Sequence, residues 1–91
     1  NGNPMSAEKQ AIPREEMANQ FIALANEFAK TESKERVGAA IMYAASRYNA
    51  YEAYTKSDNL AKDKPDALQW FSNEYHRMLE ANMDELIDIQ K

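Results

Sequence analysis

His76, Glu80 and Asp84 recur at i, i+4 and i+8, which lines an imidazole and two carboxylates along one side of a helix. The spacing could serve a metal, but exposed helices carry such charge ladders routinely. The Glu-x-x-His pair of di-iron bundles is missing, because Asn73 stands where that motif needs Glu. With one histidine and no cysteine, the chain cannot build a multi-histidine metal site, a Cys-based zinc or iron–sulfur site, a disulfide or a thiolate nucleophile. It also contains no Gly-rich phosphate loop, no Gly-x-Ser-x-Gly elbow and no His-Glu-x-x-His helix. The sequence therefore predicts no catalytic residue, no metal and no cofactor, and a protein that is not an enzyme.

Residues suited to recognition are easier to find. Tyr43, Arg47, Tyr51 and Tyr54 fall within about 80° of arc on one helix, so that tyrosine rings and a guanidinium sit side by side. Such a cluster can receive a carboxylate or phosphate, or pair with an acidic residue of a neighbouring helix or second chain. Asn82 occupies the middle of an apolar arc where a leucine is expected. A buried amide must find partners or cost about 1–3 kcal/mol, so Asn82 reads as a register-fixing polar residue in a helix interface or as a polar contact in a ligand pocket. Trp70 points away from Phe71 and Leu68, as an interface residue or as a cover for Leu60.

These residues need helices to position them. The glycines stand at positions 2 and 38 and the prolines at 4, 13 and 65, outside the interiors of the periodic segments. From Pro13 to about Lys30, Met17, Phe21, Leu24 and Phe28 recur at helical spacing, with Glu15 and Glu16 complementing the helix dipole at its start. Thr31 or Ser33 can cap a second helix running to about Lys56. That helix carries Val37, Ala40, Ile41, Ala44, Tyr48 and Tyr51 on one face. Small residues, including Gly38, Ala45, Asn49 and Ala53, lie on the other, the pattern of a central helix packed on two sides. Residues 57–64 read as a linker, and Pro65 as the opening of a third helix with Leu68, Phe71, Tyr75, Met78, Leu79, Met83 and Leu86 on its apolar side.

The predicted architecture is all-α, a three-helix bundle with a long antiparallel hairpin of helices two and three and a shorter N-terminal helix. The helices would be roughly 18, 23 and 26 residues, or about 27, 35 and 39 Å long. Residues 1–12 are expected to be a disordered or vector-derived N-terminus, with a natural start at Met5, and residues 13–91 a single helical domain. Helix one is too short to cover the hairpin, which leaves apolar surface for a second copy of the chain.

Ninety-one residues make a small core of marginal stability, which a partner would reinforce. A formal net charge of -4 and a pI near 4.9 oppose general binding to nucleic acid or to anionic membranes. The longest apolar run, 37–45, is far short of the roughly 20 residues that span a bilayer, and no signal-peptide pattern opens the chain. The expected location is the cytoplasm.

Phe21-Ile22-Ala23-Leu24-Ala25-Asn26, the stretch from Val37 through Tyr51 with its core Tyr43-Ala44-Ala45-Ser46-Arg47-Tyr48-Asn49-Ala50, and residues Tyr75 to Glu85 together resemble a proteobacterial domain-of-unknown-function family of small helical proteins, DUF3144. The resemblance runs from near Phe21 to near Ile89. It implies a compact helical protein of bacterial origin and supplies no catalytic residue.

The reading that follows is a non-enzymatic protein–protein interaction module, homodimeric, with Tyr43, Arg47, Tyr51, Tyr54 and Trp70 as exposed contacts. The alternative is a small-molecule or metal-binding bundle whose pocket lies between helices two and three, lined by Arg47, Tyr51, Asn82 and His76.

Overall fold

A computed structural model of the chain describes residues 11–91. The expected N-terminal segment 1–12, with the proposed start at Met5, falls almost wholly outside the described residues. The described chain is all-α: three helices, α1 (Arg14–Phe28), α2 (Lys34–Lys56) and α3 (Leu60–Gln90), with no strand among the described residues. It divides into two compact units, one ending at Tyr43 and the other Ala44–Lys91, with the boundary inside α2.

In the first unit, α1 starts after Pro13, whose extended backbone (φ -53°, ψ 140°) places its carbonyl to accept from the Met17 N–H at 3.1 Å. Pro13 lacks an N–H and is held near this φ by its ring, so it loses nothing at a helix start. The helix closes on Phe28, whose carbonyl accepts from the N–H groups of Thr31 and Glu32. Ser33, rather than Thr31, caps α2: its Oγ accepts from the Arg36 N–H at 3.1 Å, while the Thr31 hydroxyl donates back to the Phe28 carbonyl at 3.5 Å. Val37, at 9% exposure, is the buried hydrophobic residue of the described chain, and Ala25 and Gly38 are half-buried.

The second unit is a helical hairpin. A three-residue connection at 57–59 turns α2 back on itself, and Asn49, Glu52, Ala53 and Ser57 become half-buried, as do Leu60, Ala67, Phe71 and Glu74 of α3. Asn49 and Ala53 belong to the small face that the sequence predicts will approach a neighbour closely, and Glu52 borders it.

Two expectations are corrected. α3 begins at Leu60 rather than Pro65, which lies inside the helix. Asn59 is the cap, its side chain accepting from the Lys62 N–H at 3.3 Å. The cap outweighs the proline, which removes one internal hydrogen bond, that to the Ala61 carbonyl. α3 is consequently 31 residues long. Second, the larger apolar side chains of α2 are not enclosed: Ile41, Met42, Tyr48 and Tyr51 are all exposed.

Candidate functional site

The hairpin connection is held by a short polar relay. Ser57 Oγ donates to Asp63 Oδ2 at 2.6 Å and accepts from the Asn59 N–H at 3.0 Å, so one hydroxyl ties the end of α2 to the first turn of α3. Asp63 also sits where the positive end of the α3 dipole favours a carboxylate. On the facing helix, Asn49 Nδ2 donates to Glu52 Oε2 at 2.6 Å, which orients a half-buried carboxylate.

Between these groups the two helices leave an open cleft of about 450 Å³. Ala53, Leu60, Ala67, Trp70 and Phe71 give it an apolar wall, and Glu52, Lys56, Ser57, Asp63 and Asp66 a polar one. Trp70 packs edge-on against Phe71, with ring centroids 5.1 Å apart and planes at 88°. The expected pocket between the second and third helices is therefore built from other residues than those singled out for it: Arg47, Tyr51, His76 and Asn82 are not among those that line it. Trp70 alone of the recognition candidates lines it, together with the Leu60 it is expected to cover. Of the rest, Glu52 and Asp63 are legible only through their capping and i,i+3 partners.

The remaining candidates lie elsewhere. Tyr51 and Tyr54 form a tilted ring pair with centroids 6.3 Å apart, both well exposed. Tyr43 and Arg47 are exposed one turn apart on α2, Tyr43 closing the first unit and Arg47 in the second. Asn82 is exposed on α3. His76 Nε2 lies 3.9 Å from Glu80 Oε1, both strongly exposed. No group of three or more metal-ligating side chains occurs among the described residues, and no described helix is long and apolar enough to cross a membrane.

A further apolar surface lies on α3. Leu60, Ala67, Phe71 and Glu74 face α2, whereas Leu68, Tyr75, Leu79 and Leu86 lie about 90° further round the helix at 100° per residue. That second stripe is open, from 38% exposed at Leu79 to 59% at Leu86. It is thus a distinct apolar face and not an overhang of the hairpin contact. Asn82 stands at its edge, beside exposed Met78 and Met83.

A family model described as "Protein of unknown function (DUF3144)" matches residues 15–87, which include all three helices except the first residue of α1 and the last turn of α3. The chain belongs to that family. No curated protein and no solved structure matches it.

Proposed function

We propose that the chain is a non-enzymatic protein–protein interaction module of the bacterial cytoplasm that works as a homodimer, joined through the open stripe of α3. The observation that carries this reading is the stripe itself: leucine and tyrosine side chains aligned over much of the length of a helix, off the face that meets α2. Contiguous exposed apolar surface of this kind marks an interaction site. A residue offers about 160 Å² in an extended chain. Four half-exposed stripe residues then supply on the order of 300 Å² per copy as the apolar centre of a contact, with the polar rim to make up the rest of the roughly 800 Å² per partner of a stable complex.

Trp70, Tyr51 and Tyr54 support the second half of the proposal. Trp70 projects from the side of α3 opposite the stripe, so a dimer formed through the stripe leaves it accessible to a further partner, and exposed tryptophan and tyrosine are enriched where proteins bind. The decisive experiment is the molar mass in solution by light scattering coupled to size exclusion over a wide range of loading concentrations. A dimer mass that holds on dilution supports the proposal, and a monomer at every concentration overturns it.

The cleft favours a second reading, a small-molecule site in the hairpin. Its apolar wall and flanking carboxylates fit a cationic aromatic better than an anion. A thermal-shift screen of such compounds, with Trp70→Ala as the control, tests it.

A further inference from the structure

The open stripe of α3 reads the same in both directions. Leu68, Tyr75, Leu79 and Leu86 are spaced seven, four and seven residues apart, a pattern symmetric about Arg77, which itself lies on the far side of the helix. The eleven-residue repeat that relates Leu68 to Leu79 and Tyr75 to Leu86 corresponds to about 3.67 residues per turn, so a nearly straight helix keeps the stripe in line without strong supercoiling. A two-fold axis beside Arg77 would therefore set leucine against leucine and tyrosine against leucine over about 27 Å of helix.

We infer that the partner seated on this stripe is α3 of a second copy, running antiparallel, with Leu68 of each copy against Leu86 of the other. The inference rests on the self-association proposed above and adds its orientation and register. Two observations choose antiparallel over parallel. Parallel pairing in register would set the two negative ends of α3 side by side, each offset only by Lys91, which already pairs with Asp88 at 3.7 Å. Antiparallel pairing instead sets each negative end beside the first turns of the partner helix, where the dipole is positive. The same register places Ser72 of one copy and Asn82 of the other in one layer, which gives the Asn82 amide a hydroxyl partner where a leucine would otherwise be expected.

The chain has no cysteine, so engineered thiols report without background. Leu68→Cys and Leu86→Cys are made singly in the full chain, mixed in equal amounts and oxidised under mild conditions. The antiparallel register gives the mixed disulfide as the main product and little of either homodimer. Two thiols at position 68, one from each copy, would then be about 27 Å apart along the axis, against the less than about 7 Å between Cα atoms that a disulfide spans. Homodimeric links in each single variant, without the mixed product, mean parallel pairing and overturn the inference. If these core substitutions weaken pairing, a nitroxide on Gln90→Cys supplies the second measurement. A spin–spin separation of about 39 Å supports the antiparallel register, and one of roughly 10–12 Å, about one helix diameter, overturns it. Light scattering on the unmodified chain separates the two levels of failure: a monomer removes the dimer altogether, whereas a dimer with the wrong links removes only its orientation.

Discussion

Ser57 Oγ donates a 2.6 Å hydrogen bond to Asp63 Oδ2, and through the N–H of Asn59 the same hydroxyl holds the residue that caps α3. The bond joins the last turn of the α2 side of the hairpin to the first turn of α3 across only a few residues, so the angle at which the helices leave the connection is set by polar groups. Hydrophobic burial contributes little there, since Leu60 is only half-buried.

The cap should be measurable. Asn59→Ala removes the acceptor for the Lys62 N–H and should cost about 1 kcal/mol in thermal or urea unfolding followed by circular dichroism. Asn59→Asp should retain most of that. A double-mutant cycle on Ser57→Ala and Asp63→Ala should give a coupling of roughly 1 kcal/mol, because the bond is short and its acceptor charged. A coupling near zero would mean that the relay follows the connection and does not set it.

Gly38 offers a second test, on the small face of α2. A Cβ built there meets nothing within 4 Å, and its backbone needs no positive φ. Gly38→Ala should raise the stability by about 0.5–1 kcal/mol through helix propensity alone. A loss of stability that grows with protein concentration would instead show a second chain packed against this glycine.

At the start of α1, the Glu15 carboxyl is held below its ordinary value of 4.5, chiefly by a hydrogen bond from its own backbone N–H and then by the neighbouring Arg14. A depressed folded-state value contributes stability that is present above the unfolded pKa and is lost as pH falls through the folded one. The side chain is fully solvated, so the effect is small and screened by salt. Titration of the Glu15 side-chain carboxyl carbon by NMR should show a midpoint below the ordinary value. Arg14→Ala should move that midpoint back only partly, since the larger cause remains.

How these features relate to the sequence differs from helix to helix. α1 and α2 are legible from apolar spacing, from Glu15 and Glu16, and from Ser33 as a capping candidate, because each signal is local. The start of α3 is not, since the polar run 57–64 and Pro65 together look like a linker. Asn59, whose side chain caps the helix by accepting from the Lys62 N–H, is the signal that decides the matter. Burial is the least legible. Periodicity tells which side of α2 is apolar, but only the hairpin geometry shows that its small face meets α3 and leaves Tyr48 and Tyr51 in solvent. The same holds at the cleft, where Trp70 stands out by its misfit to the apolar arc, while Glu52 and Asp66 look like any other surface acid until α2 and α3 are brought together.

The stripe gives the sharpest contrast between two faces of one helix. Leu79→Glu puts a charge at its centre, at a position only 38% exposed before any partner arrives. In a dimer that carboxylate would be buried against the Tyr75 ring of the other copy, and an unpaired buried charge costs several kcal/mol. The molar mass should fall to that of a monomer at concentrations where the parent chain is a dimer. Helicity should be nearly unchanged, because glutamate is a good helix former and the hairpin contact lies on another face of α3. Trp70→Ala, opposite the stripe, should leave the dimer mass unaltered and lower only the stability of the hairpin, through its lost packing on Phe71. If Trp70→Ala dissociates the dimer while Leu79→Glu does not, the two faces exchange roles, and the cleft side of α3 becomes the surface that holds the second copy.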